Sequence, residues 1–258
     1  MAASSLDDLL KEAPGFGRCA ECKYLQGGYP DLCYQCASRR MQPLAPPGGR
    51  CDICDQTFGA DASSCMNPVC AMTERWFGRN YAVAMRSGVL EQAINDYKFR
   101  EQQGWSAIFG RILVGFLEHR RDVFGGVDLI VASPTYTGPD ARRSWDHIRG
   151  ILEAADTEDW FDVWPFDLAD PPAIVKTDDT PRMTGLTYKE RRANAEGSLR
   201  DALSVPKPDR TMGKTIAVVD DVFTGGLTLR EVARALRLQG GATEVLGVTL
   251  ARQPAPTK

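Results

Sequence analysis

The chain has 258 residues, of which 43% are hydrophobic and 25% are charged, and its formal net charge is -3. This composition is ordinary for a globular protein with one sizeable domain and a small one. Because the chain carries no net positive charge, a nucleic-acid contact would need a local basic patch. No apolar run approaches the roughly 20 residues that cross a bilayer, and the N-terminus lacks the features of a secretion signal. We therefore expect a cytoplasmic protein with no membrane contact.

All eight cysteines lie between residues 19 and 70 and form two sets of four with nearly the same internal spacing. A shift of 32 residues carries Cys19 onto Cys51, which indicates an internal duplication. Thiolates that arrive as close pairs suit a tetrahedral Zn²⁺ site, and zinc supplies folding energy to a segment with little apolar content. We predict two structural zinc ribbons, with the ligands Cys19, Cys22, Cys33 and Cys36 in the first and Cys51, Cys54, Cys65 and Cys70 in the second.

Other arrangements of the cysteines stay open. Ligand pairs one and three can share an ion in a crossed arrangement, and the thiols can instead form disulfides or hold an iron–sulfur cluster. Reduced thiols are usual in a cytoplasmic chain, which favours zinc. The predicted organisation is an N-terminal arm at 1–16, tandem zinc ribbons at 17–73 and a second domain at 74–258.

Hydrophobic periodicity after residue 74 predicts strands that alternate with helices. Such alternation favours an α/β fold with a doubly wound, mostly parallel sheet. Strands are predicted within 75–87 and at 127–132, 173–176, 216–219 and 243–251, and helices at 89–99, 105–120, 140–149 and 229–239.

The most informative stretch of this second domain is 214–230. Its apolar run is followed by Asp220 and Asp221, then by a loop of hydroxyl and glycine residues, and then by a predicted helix. Glycines let the backbone approach a ligand closely, and the N–H groups at a helix N-terminus favour a phosphate. Carboxylates suit sugar hydroxyls, Mg²⁺ or developing positive charge. A ribose 5-phosphate fits both halves of the motif.

Residues 219–228, Val-Asp-Asp-Val-Phe-Thr-Gly-Gly-Leu-Thr, resemble the motif Val-Asp-Asp-Val-x-Thr-Thr-Gly-x-Thr of the type I phosphoribosyltransferases. The one departure is Gly225, which stands where that family usually has threonine. By this resemblance, the catalytic carboxylates Asp220 and Asp221 hold the ribose hydroxyls of phosphoribosyl pyrophosphate (PRPP), and the loop holds its 5-phosphate. The PRPP-binding residues implied here are Val222, Phe223, Thr224, Gly225, Gly226, Leu227 and Thr228.

Over nearly the whole chain, the order of parts is similar to that of the ComF (competence-associated) branch of this family. The shared parts are the cysteine ribbon, a Lys-Phe element, a proline-containing loop with basic residues after it, an Arg-x-x-Asn segment and the PRPP loop. The sequence departs from the family at the proline-containing loop and at residues 144–148. The further PRPP ligands that this resemblance implies are Lys98, Ser133, Arg142, Arg143, Arg191, Arg192 and Asn194.

The resemblance implies Mg²⁺-dependent displacement of pyrophosphate from PRPP by a nitrogen nucleophile, either a base or an amine. Cations would neutralise the leaving pyrophosphate, and the polar stretch 177–197 would close over the substrate. The two histidines are less promising: His119 is expected to be exposed, and His147 to lie at the surface or cap a helix.

Two other functions compete with the transferase. The altered pyrophosphate loop would favour a protein that senses PRPP or a nucleotide without turnover. Alternatively, the zinc ribbons would bind DNA or a protein in DNA uptake, recombination or defence, with the second domain as a scaffold. The ribbons supply a modest basic set for such a contact, and the sequence also leaves open a homodimer. That set is Arg18, Lys23, Arg39, Arg40 and Arg50.

Overall fold

The structure is a computed structural model that describes residues 13–17, 19, 32–58, 64–141, 143–181, 183 and 185–254. The predicted ligands Cys22 and Arg142 lie outside the described residues, as does most of the predicted arm. The helices are α1 (Tyr34–Ser38), α2 (Gly88–Phe99), α3 (Trp105–His119), α4 (Arg121–Phe124), α5 (His147–Glu158), α6 (Tyr188–Asn194), α7 (Arg200–Ala202) and α8 (Leu227–Leu238). The strands are β1 (Asn80–Met85), β2 (Leu129–Ala132), β3 (Val175–Lys176), β4 (Leu203–Ser204), β5 (Thr215–Phe223) and β6 (Glu244–Arg252).

Four strands form a central sheet in the order β1-β6-β5-β2, and all three pairings are parallel. The middle of β5 is buried, as expected for a continuous apolar run that is covered on both faces. The predicted α/β fold with a mostly parallel sheet is confirmed at this level.

Helices cover both faces of the sheet. Side chains of a strand alternate between its two faces. Ala217 and Val219 of β5 therefore belong to the core beneath α2, α3 and α5, whereas Ile216 and Val218 belong to the core beneath α8. This alternation places Asp221 on the α2 and α5 side.

The strand β5 is longer than its apolar run. Asp220 and Val222 continue the pairing, opposite Thr249 and Ala251 of β6, so the strand ends at Phe223 rather than at Val219. The acidic pair consequently lies inside the strand, where backbone pairing fixes the direction of both side chains.

The predicted helix at 140–149 is wrong over most of its length, because α5 begins only at His147. Asp140 has a φ of 59°, which a right-handed helix does not allow. Asp146 is the N-cap, and its carboxylate accepts hydrogen bonds from the N–H groups of Ile148 and Arg149.

The short strand β3 is also placed differently. It was expected in the main sheet, but it pairs antiparallel with β4 in a separate two-stranded sheet.

Among the described residues, no helix is long and apolar enough to span a bilayer.

Candidate functional site

The centre of the candidate site is Asp221, which is only 3% exposed to solvent. Lys98, at the end of α2, forms an ion pair with its carboxylate, and Nε2 of His147 lies 3.6 Å from the same oxygen. Burial by itself would raise the pKa of Asp221, but the positive charge of Lys98 and the nearby His147 ring outweigh burial and hold this pKa well below its usual range. Asp221 is therefore a charged group in the interior at neutral pH.

Asp220 has the opposite electrostatic environment. Its carboxylate accepts a hydrogen bond from the N–H of Asp221 at 2.9 Å. Burial and the neighbouring charge of Asp221 raise the pKa of Asp220 to about 7, although Lys98 acts in the opposite direction. The two adjacent carboxylates thus differ in protonation near neutral pH. A cation bound nearby would favour the charged form of Asp220.

His147 is buried, so the expectation of a surface position is wrong. It is the first residue of α5, its carbonyl accepts a hydrogen bond from the Tyr97 hydroxyl at 2.6 Å, and its ring faces Asp221. Burial lowers the pKa of His147, and Asp221 only partly offsets that effect. The sequence signal that could have revealed this position is Asp146, because an N-cap fixes the residue after it at the start of a buried helix.

Arg143 joins this cluster. Its Nη1 lies 2.8 Å from Nδ1 of His147, and its guanidinium lies 5.9 Å from the ring centre of Phe99. The predicted pyrophosphate ligands Lys98 and Arg143 are thus brought to the same place, beside Asp221.

Ser133 directly follows β2 and is buried. Its N–H donates to the carbonyl of Val219, the residue before Asp220, at 2.8 Å. The ends of β2 and β5 therefore meet at the acidic pair, at the carboxyl edge of the sheet where α/β proteins bind ligands.

The glycine loop follows β5 and begins α8. Gly226 is the N-cap residue, with a φ of 76°, and a Cβ placed there would lie 2.4 Å from the Phe223 ring. A Cβ on Gly225 would meet nothing within 4 Å. The first N–H groups of α8 have no acceptor within the helix, so together with the helix dipole they suit an anion.

The PRPP ligands predicted within the stretch 177–197, here called the lid, do not bond to the acidic pair. Arg192 pairs with Glu196 at 3.0 Å, and Glu196 pairs with the buried Arg230 of α8 at the same distance. Within the described part of the chain, no hydrogen bond or ion pair joins the three predicted lid ligands to either carboxylate, so their role stays a prediction. These ligands are Arg191, Arg192 and Asn194.

The second cysteine set forms a compact cluster. All four sulfur atoms lie within 4.8 Å of one another, with Sγ–Sγ distances of 3.8 Å for Cys51–Cys70 and 3.7 Å for both Cys54–Cys65 and Cys65–Cys70. A tetrahedral Zn²⁺ with bonds of about 2.3 Å needs sulfur atoms at about this separation. The N–H groups of Ile53 and Asn67 each lie 3.4 Å from a cluster sulfur. This set can hold a zinc ion with the uncrossed ligands.

The first set is described for three of its cysteines. Cys19, Cys33 and Cys36 have sulfur atoms within 4.8 Å of one another, and in their reduced form they can also hold a metal ion. Cys19 is disulfide-bonded, so the disulfide alternative stays open for this set. Its fourth predicted ligand, Cys22, lies outside the described residues.

The chain is similar to curated proteins named for DNA utilization. It is 26% identical to the DNA utilization protein YhgH of Escherichia coli O157:H7 over 230 residues, which cover 83% of this chain and 94% of that protein. It is 25% identical to the YhgH proteins of Shigella flexneri and Escherichia coli K12, again over 83% of this chain and 94% and 93% of theirs. No family model matches the chain. The likeness therefore spans both the cysteine region and the α/β domain.

Proposed function

We propose that the protein binds PRPP with Mg²⁺ and transfers its phosphoribosyl group to a nitrogen nucleophile. The observation that carries this proposal is the cluster of Lys98 and His147 around Asp221, immediately before the glycine loop of α8. Carboxylates, cations and a helix N-terminus suited to an anion lie together at the carboxyl edge of a parallel sheet, which supports the proposal.

Each group has a role in this proposal. The loop N–H groups bind the 5-phosphate, and Asp220, once charged, binds the ribose hydroxyls. Lys98 and Arg143 face the pyrophosphate, whose negative charge a bound Mg²⁺ would help neutralise. The charged Asp221 holds Lys98 and His147 in place and adds negative charge near the ribose ring as it becomes cationic.

The test is a calorimetric titration of zinc-loaded protein with PRPP and Mg²⁺. We expect micromolar-range binding that Asp220→Asn/Asp221→Asn abolishes. The matched control, Asp7→Asn/Asp8→Asn, removes the same charge from an adjacent pair near the N-terminus and should bind like the wild type. Release of pyrophosphate with a base or an amine would then establish transfer. Absence of PRPP binding by the wild-type protein would refute the proposal.

A role in DNA utilization is the second candidate function, because the name of the relatives states it. Arg39 and Arg40, exposed just after α1, supply a local positive patch for such a contact. We expect salt-dependent binding of single-stranded DNA that Arg39→Glu/Arg40→Glu weakens. Lys189→Glu/Lys207→Glu makes the same change of charge at exposed positions of the α/β domain. Equal losses in the two variants would argue against a contact through the cysteine region.

A further inference from the structure

The second cysteine cluster lies directly against the glycine loop. Asn67 is buried, and its Nδ2 donates to the carbonyl of Thr224 at 3.4 Å, while its Oδ1 accepts from the N–H of Val69. Val69 is fully buried, and a Cβ on Gly226 would lie 3.0 Å from its side chain. The chain between the two last cysteines therefore forms one wall of the loop.

Arg252, the last residue of β6, is a second link and is only 1% exposed. On one side its guanidinium donates to the carbonyl of Cys54 at 2.7 Å and to Oε1 of Gln56 at 3.0 Å. On the other side it donates to the carbonyls of Phe223 and Thr224 at 2.9 and 3.1 Å. The guanidinium of Arg252 thus joins the backbone of Cys54, a predicted metal ligand, to the glycine loop.

The surroundings of this guanidinium tie it to the metal cluster. Among the residues that the structure describes, no carboxylate lies within ion-pair distance of Arg252, and its Nη2 lies 3.5 Å from Sγ of Cys54. A buried guanidinium needs a negative partner, and four thiolates around Zn²⁺ carry a net negative charge. Hydrogen bonds to metal ligands orient those ligands and the groups that donate them.

We propose that Asn67 and Arg252 are positioning residues through which the Cys51–Cys70 cluster holds the loop 223–226 in its anion-binding shape. This inference rests on the proposed function, since it assigns the loop to a phosphate. Its consequence is that metal occupancy of this cluster sets the affinity for the phosphate end of the ligand, while the pyrophosphate end beside Lys98 and Arg143 is unaffected.

Ribose 5-phosphate probes the phosphate end of the ligand site, and pyrophosphate probes the pyrophosphate end. Each is titrated with Mg²⁺ into zinc-loaded protein. Asn67→Ser keeps a helix N-cap acceptor for Val69 but removes the donor to Thr224. We expect it to weaken ribose 5-phosphate about three- to tenfold, as loss of one hydrogen bond predicts, and to leave pyrophosphate unchanged. Thr211→Val is the matched control, because it removes a buried hydroxyl that donates to the carbonyl of Gly240, beyond the opposite end of α8 from the loop.

Two further arms use the arginine and the metal. Arg252→Lys keeps the charge but cannot make the same set of bonds, so it should shift the two probes in the same pattern, with the melting temperature measured beside it. Zinc returned to chelated wild-type protein should restore ribose 5-phosphate binding in step with occupancy of the second cluster.

The outcomes are distinguishable. If the wild-type protein binds ribose 5-phosphate and the Asn67 and Arg252 variants bind it equally well, the positioning role is wrong and the proposed function stands. Equal weakening of both probes would also overturn the positioning role. If the zinc-loaded wild-type protein binds neither probe, the proposed function fails and this inference fails with it.

Discussion

Asp220 should make the free energy of unfolding depend on pH. Its pKa in the folded protein is about 7, above the unfolded value of about 4, so the folded state holds the proton more tightly between these values. The contribution of this group to stability therefore falls as pH rises through that window and is constant above it. We expect Asp220→Asn to stabilise the protein more, relative to wild type, at pH 8 than at pH 5. Urea unfolding at both pH values measures this, and an equal effect would contradict the assignment.

The ion pair of Lys98 with Asp221 should contribute strongly to the stability of the fold. Removal of one partner leaves a buried charge alone, so Lys98→Met should reduce the free energy of unfolding by about 3 kcal/mol. The double variant Lys98→Met/Asp221→Asn should lose less than the sum of the single changes, by at least about 1 kcal/mol. The control is the more exposed pair of Arg149 and Glu153, whose coupling should stay below about 0.5 kcal/mol. Similar coupling in both cycles would show that Asp221 is solvated.

The two neighbouring glycines in the loop before α8 have different backbone conformations and surroundings. Gly226 has a left-handed φ and no room for a Cβ, whereas Gly225 faces open space. We expect Gly226→Ala to cost about 1 kcal/mol of stability or more and to abolish PRPP binding. Gly225→Thr restores the hydroxyl that the resembling family usually carries, and it should fold normally and bind PRPP at least as well. Loss of binding in both variants, measured by calorimetry, would mean that the open space is needed for the ligand.

The N-terminus of α5 is the element that delivers His147. Because Asp146 accepts two backbone hydrogen bonds there, Asp146→Ala should lower the free energy of unfolding by about 1 kcal/mol. Asp146→Ser retains a capping oxygen and should recover most of that loss. If alanine and serine behave alike in chemical denaturation, the cap does not set the start of this helix.

At the scale of the whole molecule, the cysteine region and the α/β domain share a core. Cys54 and Val69 belong to the same buried cluster as Phe223 and Leu227. Removal of the metal from the second site should therefore lower the melting temperature of the entire chain in one transition, because zinc binding contributes folding energy. A separate low-temperature transition would show that the ribbon folds independently.

Zinc content tests the two sites separately. We expect two zinc ions per chain under reducing conditions and one in protein purified without reductant, because Cys19 can be held in a disulfide. Native mass spectrometry of the intact protein measures the bound zinc, and alkylation of a separate denatured sample counts the free thiols. Two zinc ions in unreduced protein would contradict the disulfide at Cys19.

The central strands, most helices and the cysteine sets follow from local features of the sequence. The continuous apolar run at 216–219 indicates the centre of β5, and apolar residues three and four positions apart indicate a helix such as α3. The spacing of Cys51 to Cys70 likewise predicts a metal cluster before any fold is known. These signals depend only on neighbours along the chain.

The environment of each charged group depends instead on contacts between distant residues. Periodicity does not encode which helix end reaches Asp221, so the proximity of His147 to Asp221 could not be predicted. Arg252 reaches Cys54 across a separation of 198 residues, because the strand order places the end of β6 beside β5 and the second cysteine cluster. The sequence by itself determined the chemical groups and the elements that carry them. Only the tertiary structure decided which groups meet, because long-range packing sets desolvation and charge pairing.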